Sequence, residues 1–190
     1  MWEPDMTEVG KPVEPIDRTE SGAWLDHYLV YGHWPSSGSL LPTLDAACTS
    51  LGLDRTQAHE RRSLTTIVVR HECFELVVEA EKKRKGGDAA SRAIGSGARW
   101  VRRIETSAEE ERDRVAELIS ACNLLMSCHG TKGAFDWIIA REYLKLITKG
   151  VDGLIFDGWG FLDAHGTLRI SGDGESGLAS LFSPGIQGLP

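Results

Sequence analysis

Histidine and cysteine side chains that could bind a metal or form a nucleophile occur in two short groups. His71-Glu72-Cys73 and Cys128-His129 together contain the nitrogen and sulfur ligands that zinc favours. Neither group has the C-x-x-C or H-x-x-x-H spacing of a zinc site. Buried cysteines behave as small hydrophobic residues, and nothing beside Cys128 or Cys48 indicates a catalytic Cys–His pair. We therefore predict no metal, no cofactor and no enzyme activity.

Phosphate-binding features are also weak. The glycine-rich pieces Gly95-Ser96-Gly97 and Gly172-Asp173-Gly174 lack the Lys-Ser/Thr ending and the full glycine spacing of a phosphate loop. The formal net charge is -7, whereas a nucleic-acid-binding protein needs a basic face. The basic run at 82–85 is flanked by glutamates and glycines, so we interpret it as a helix end. We expect no nucleic-acid partner.

The ends of the chain and its four cysteines bear on location. The N-terminus is acidic and has no apolar stretch, so a secretory signal is not expected. No run reaches the roughly 18 apolar residues of a membrane span. We therefore expect reduced thiols, no integral membrane span and a cytoplasmic protein.

The elements that would position these residues fit one domain with two tails. Residues 1–20 are acidic and contain three prolines, which predicts a flexible N-terminal tail. Residues 21–166 are predicted to form a helical domain, and residues 167–190 a Gly/Ser-rich C-terminal tail. The first helix is predicted from Ser21 to Gly32, and a second begins at Pro42.

Residues 54–85 allow two interpretations. The β-branched run Thr65-Thr66-Ile67-Val68-Val69 is typical of a strand. A helical apolar stripe fits the same stretch, and the absence of glycine and proline favours the helix. Asp88 is predicted to cap a short helix that Gly95-Ser96-Gly97 interrupts.

The clearest predicted element is an almost uncharged helix from Val115 to Cys128. Thr106 and Glu109 have the spacing of a capping box before it, and an apolar helix of this kind is buried on several sides. An amphipathic helix follows from Phe135 to Gly150, and Gly153 to His165 is predicted to form one or two short helices. The predicted fold is an all-α, compact globular bundle of about seven helices around this central helix.

Several stretches resemble the homology motifs of the Bcl-2 family of apoptosis regulators. Arg114-Val115-Ala116-Glu117-Leu118-Ile119-Ser120 resembles the first motif, and Gly158-Trp159, followed by Phe161 and Leu162, is similar to the second. Residues 44–54 and 24–28 resemble the third and fourth motifs. The sequence departs from the family where Glu111-Arg112-Asp113 replaces N-W-G, and Asp113 would crowd an approaching ligand helix.

The resemblance implies a regulator that sequesters the BH3 helices of pro-apoptotic proteins in a hydrophobic groove and favours survival. It implies peripheral association with mitochondria as an alternative to a purely cytoplasmic protein, a host–virus interaction if the chain is viral, and homodimerisation as an open question. The implied groove residues are Asp113, Arg114, Val115, Leu118, Gly158, Trp159 and Phe161. The alternative is an all-helical adaptor or inhibitor that binds other partners through a helical face.

Overall fold

A computed structural model describes residues 26–84, 87–131 and 133–172 of the chain. The strands are β1 (Asp26–Gly32), β2 (Asp54–Arg61), β3 (Leu64–Arg70), β4 (Glu75–Lys82), β5 (Leu124–Gly130), β6 (Leu154–Phe156), β7 (Gly160–Leu162) and β8 (Leu168–Ser171). The α-helices are α1 (Leu41–Leu51), α2 (Ala89–Arg102), α3 (Glu109–Ala121) and α4 (Ile138–Gly150).

All eight strands form one sheet in the order β2-β3-β4-β5-β1-β6-β7-β8. Every neighbouring pair is antiparallel. The protein is therefore a mixed α/β structure, and the predicted all-α, Bcl-2-like bundle is wrong.

For residues 65–69 the strand alternative is right, and the helix predicted over 54–85 is replaced by three strands within the described residues 54–84. Thr65, Ile67 and Val69 are fully buried while their neighbours are not, which is the period of two expected for a strand. The two connections in this meander contain neither glycine nor proline: Arg62-Ser63 joins β2 to β3, and residues 71–74 join β3 to β4. The absence of these residues therefore did not indicate a continuous helix.

The predicted central helix is a helix followed by a strand. Helix α3 ends at Ala121, and β5 begins at Leu124 in the middle of the sheet. An uncharged run is equally typical of a strand in the middle of a sheet. The capping box is also wrong: the N-cap is Ala108, and the Thr106 hydroxyl accepts a 3.1 Å hydrogen bond from the Ala108 N–H.

Both predicted helical segments at the ends of the domain contain strands. Strand β1 occupies the described part of the predicted Ser21–Gly32 helix and lies between β5 and β6. Strands β6 and β7 occupy the region from Gly153 to His165. In the predicted C-terminal tail, residues 168–171 form β8 and residues 173–190 lie outside the described part, as does the predicted 1–20 tail.

Three local predictions are confirmed and one is wrong. Pro42 lies in the first turn of α1, which ends at Gly52 with a left-handed φ of 66°. The predicted amphipathic helix corresponds to α4. The Asp88 carboxylate caps α2 by accepting a 2.7 Å hydrogen bond from the Ser91 N–H. However, α2 continues through Gly95-Ser96-Gly97 without the predicted break.

The helices cover the two faces of the sheet unequally. Helices α1 and α4 pack against the broad middle of one face, where the larger apolar cluster extends from β3 to β7. Helices α2 and α3 pack on the other face, and their cluster includes side chains of β1, β6, β7 and β8. Among the described helices, none is long and apolar enough to cross a membrane.

Glu60 on the edge strand β2 supports the start of α1. Its carboxylate accepts hydrogen bonds from the Leu40 N–H at 3.1 Å, from the Ser39 hydroxyl at 2.9 Å and from the Thr65 hydroxyl at 3.1 Å. Leu40 is the N-cap residue and makes no side-chain cap. Partial burial raises the pKa of Glu60, but these hydrogen bonds outweigh it, so the pKa lies below its ordinary value.

We expect Glu60→Ala to lower the free energy of unfolding by about 1 kcal/mol at pH 7, because α1 loses its carboxylate cap. A lowered folded-state pKa gives stability that is present above the unfolded pKa and is lost as the pH falls through the folded value. The difference from the wild-type protein should therefore shrink at acidic pH. Denaturant unfolding of both proteins at pH 7 and at an acidic pH measures this difference in the free energy of unfolding. Asp54→Ala, at the start of the same strand, is the control. An equal loss in both variants would contradict the capping role.

Candidate acid–base site on the sheet

Polar side chains cluster on the half of this sheet face that α2 and α3 do not cover. Within the described residues, the apolar cluster under these helices includes no side chain of β2, β3 or β4. Across β1, β5 and β4 on this face, the register places His27 opposite His129 and Ser127 opposite Glu79. Three adjacent strands therefore bring four polar side chains to one place.

The hydroxyl of Ser127 lies between two imidazoles. Its Oγ is 2.9 Å from His27 Nε2 and 2.7 Å from His129 Nε2. The two rings are stacked, with centroids 4.5 Å apart and planes within 6°. A carboxylate oxygen of Glu79 lies 3.8 Å from His129 Nε2. We name Ser127, His27, His129 and Glu79 the Ser127 cluster.

The hydrogen bonds within the cluster are compatible with the following arrangement of protons. A serine hydroxyl donates one hydrogen bond and accepts others, so one imidazole nitrogen donates to Ser127 while the other accepts from it. The Glu79 carboxylate favours a proton on the nearby Nε2 of His129. The His129 N–H then donates to Ser127 Oγ, and the Ser127 O–H donates to His27 Nε2. His27 is thus in the position of a general base.

Rigid neighbours hold this arrangement in place. His129 and Ser127 are half-buried, whereas His27 is exposed. Val77, which pairs with His129, has only 8% of its surface exposed. Because these side chains project from paired strands and not from loops, their relative positions are fixed by the backbone ladder.

The thiols take no part in the cluster. Cys128 is adjacent to Ser127 in β5, and successive residues of a strand point to opposite faces, so Cys128 lies in the core under α1 and α4. Burial raises the pKa of Cys122 and of Cys128 to about 12, so neither forms a thiolate near neutral pH. Within the described ranges, no three His, Cys, Asp or Glu side chains are arranged to hold a metal ion.

The two groups of histidine and cysteine in the sequence, at 71–73 and 128–129, did not indicate this site. His71 stacks on Phe74 in the β3–β4 connection, and Cys73 is exposed there. His129 pairs instead with His27, which is far away in the chain. The signal that was present is the alternation in β5, where Ser127 and His129 occupy the face opposite to the buried Met126 and Cys128.

The predicted groove residues on α3 are divided between surface and core. Asp113 is exposed and forms a 2.9 Å ion pair with Arg112. Arg114 is exposed, and 45% of the Leu118 surface is exposed. Val115 is fully buried under the sheet, so it is a core residue and not part of a surface groove.

The predicted groove residues near β7 are divided in the same way. Gly158 has a φ of 98° in the β6–β7 turn, a conformation that favours glycine. Trp159 follows it, and 59% of its surface is exposed. Phe161 on β7 is buried and belongs to the same apolar cluster as Val115.

Arg114 and Leu118 line a cleft of about 410 Å³ at the opposite end of β1. The cleft lies between α3, the end of α4 and the segments around β6 and β8. We name it the Arg114 cleft. Its charged and imidazole side chains are His33, Arg114, Lys149, Asp152, Asp163, His165 and Arg169. The structure does not bring Asp113, Gly158, Trp159 or Phe161 into its lining.

Comparisons with protein-family models, with curated proteins and with solved structures found no match to this chain.

Proposed function

We propose that the protein is a serine hydrolase that cleaves carboxylic esters with Ser127 as the nucleophile. The observation that carries the proposal is the position of Ser127 Oγ within hydrogen-bonding distance of two imidazole nitrogens. A serine hydroxyl is a weak nucleophile unless a neighbouring base takes its proton, and the Ser127 cluster supplies that base.

In the acylation step, Ser127 Oγ attacks the carbonyl carbon of the ester while its proton moves to His27 Nε2. The carbonyl electron pair becomes an oxyanion. The His129 N–H, which donates to Ser127 Oγ before the attack, moves to this oxyanion and stabilises it as a hydrogen-bond donor. When the oxyanion collapses, the bond to the alcohol oxygen breaks and His27 returns the proton to that oxygen. The products are the free alcohol and an acyl-Ser127 ester.

In the deacylation step, water replaces the alcohol. His27 takes a proton from the water as its oxygen attacks the acyl carbon, and it then protonates Ser127 Oγ as the acyl group leaves as a carboxylic acid. Glu79 acts through His129 because its carboxylate lies beside Nε2 of that ring. We assign Glu79 as a positioning residue, since it does not contact Ser127 in the hydrogen bonds described above.

Covalent labelling tests the nucleophile directly. We expect a fluorophosphonate probe to add one label to the wild-type protein, detected as one mass increment by intact-mass spectrometry and located at Ser127 by peptide mapping. Ser127→Ala should remove the label. His59→Gln is the matched control, because His59 is an exposed histidine on the same face of the sheet, opposite Thr66. It should retain full labelling.

Hydrolysis of p-nitrophenyl acetate gives the second readout. Wild-type and His59→Gln should release p-nitrophenol at the same rate, and Ser127→Ala should reduce this rate by about 10²-fold or more. An unlabelled wild-type protein whose rate equals that of Ser127→Ala would exclude the proposed function.

The proposal departs from the expectation of a non-enzymatic binding protein. That expectation, including BH3 sequestration and the helical-adaptor alternative, remains an untested prediction. Both versions assumed an all-helical fold, and the eight-stranded sheet removes that premise.

A further inference from the structure

The Arg114 cleft brings cationic side chains together on a protein whose net charge is -7. Arg114 comes from α3, Lys149 from the last turn of α4, and Arg169 from β8. His33, just after β1, and His165, in the β7–β8 connection, add two imidazoles. Five groups that bind anions therefore converge from five separate segments.

The acidic side chains around this cleft are largely committed to other contacts. Asp163 Oδ1 accepts hydrogen bonds from the His165 and Thr167 N–H groups, at 2.9 and 3.0 Å, and Oδ2 lies 3.7 Å from Arg169. Arg169 also forms a 2.6 Å ion pair with Glu111. The charges of Asp163, Arg169 and Glu111 therefore neutralise one another along one wall of the cleft.

Arg114 and Lys149 do not take part in these ion pairs. Within the described part of the chain, neither side chain makes an ion pair or hydrogen bond of the kind that holds Arg169. Asp152 is the remaining acid of the lining, and it lies in a left-handed conformation with a φ of 47°. The cleft thus presents two available cations and two imidazoles against one available carboxylate.

We propose that the Arg114 cleft is a binding site for a small molecule that carries a phosphate group. A phosphate accepts bidentate hydrogen bonds from a guanidinium and accepts further bonds from ammonium and imidazole donors. The volume of about 410 Å³ falls within the range of small-molecule sites. Leu118, Leu154 and the buried Cys122 give the cleft an apolar wall for the rest of the ligand.

This site is separate from the Ser127 cluster. His27 and His33 belong to the same strand and its extension, and six residues of extended chain span roughly 20 Å. Phosphate binding and ester hydrolysis can therefore fail independently, and the proposal does not rest on the proposed function.

Titration of inorganic phosphate and of phenyl phosphate into the 190-residue protein tests the site. We expect saturable binding of both, with the apolar ring tightening the affinity for phenyl phosphate, and NMR shifts of the His33 and His165 imidazole signals. Arg114→Gln should weaken binding about tenfold or more. Arg103→Gln removes the same charge at the exposed C-terminal end of α2 and should leave binding unchanged.

Three outcomes would overturn the proposal. The first is no saturable binding of either compound. The second is an equal loss of affinity in Arg114→Gln and Arg103→Gln, which would indicate general charge attraction. The third is binding that shifts the signals of His27 and His129 and disappears in Ser127→Ala, which would place the ligand at the other site.

Discussion

Replacement of His27 by glutamine is expected to lower the rate of ester hydrolysis by about 10²- to 10⁴-fold, the usual contribution of a general base. Glutamine keeps a hydrogen-bonding group near Ser127 Oγ but does not accept the hydroxyl proton. The serine, its strand and its neighbour His129 remain unchanged. The measurement is the initial rate of p-nitrophenyl acetate hydrolysis across a range of pH.

Two further variants distinguish the roles of the residues in the Ser127 cluster. Glu79→Gln removes the charge beside His129 without changing the size of the side chain, so the rate should fall less than in His27→Gln. The pH dependence should also change, because the carboxylate no longer favours a proton on His129. His59→Gln should leave both the rate and its pH dependence as in the wild-type protein.

If His27→Gln retained the wild-type rate while His129→Gln lost it, the base would be His129 and our arrangement of protons would be reversed. If both variants and Ser127→Ala kept the wild-type rate, the hydrolysis would not involve the cluster at all. Fluorophosphonate labelling of the same variants checks that any loss occurs at the attack of Ser127 and not only in deacylation.

The helices with strong local signals could be predicted from the sequence, and the strands in uncharged or turn-poor stretches could not. Helix α1 has Pro42 at its start and Gly52 after its end, and α2 has Asp88 as its N-cap. These signals act within a few residues. Strand β5, by contrast, continues an uncharged run that begins in α3, and only its partners in the sheet determine that it is a strand.

The candidate site could not be predicted from the sequence for a related reason. His27 and Ser127 are 100 residues apart in the chain, and their contact depends on β1 lying next to β5 in the sheet. Local spacing groups His129 with Cys128, although the two side chains lie on opposite faces. An interpretation of residues 124–130 as a strand would have separated them and placed Ser127 beside His129, but it would not have identified His27.

Buried thiols make the stability of the protein sensitive to alkaline pH. Cys128 lies in the core between the sheet and α4, with 2% of its surface exposed, and Cys122 follows α3 with 3% exposed. Burial raises the pKa of each thiol to about 12 in the folded protein. In the unfolded chain a cysteine ionises near pH 8.5. The folded state therefore keeps two protons that the unfolded state releases.

Because the thiol pKa is higher in the folded state than in the unfolded state, the free energy of unfolding falls as the pH rises. Below about pH 8.5 both states are protonated and the thiols contribute their full stability. Above that pH the unfolded state gains stability by ionising, so the free energy of unfolding falls by about 1.4 kcal/mol per pH unit for each thiol. From pH 9 to 11 the two thiols lower it by roughly 5 kcal/mol, comparable with the total stability of many domains. Burial raises the pKa of Tyr31 to about 12 as well, which adds to the loss above pH 10.

Denaturant unfolding at intervals from pH 7 to 11 measures this slope. We expect Cys128→Ala to be less stable than the wild-type protein at pH 7, because it leaves a small cavity, but to lose stability less steeply with pH. Cys73→Ala is the control, since Cys73 is exposed, and it should reproduce the wild-type slope. Two results would contradict this account: a wild-type slope in Cys128→Ala, or equally fast reaction of Cys128 and Cys73 with a thiol reagent in the folded protein. Either result would show that Cys128 is accessible to water and that the core between β5 and α4 is not packed as described.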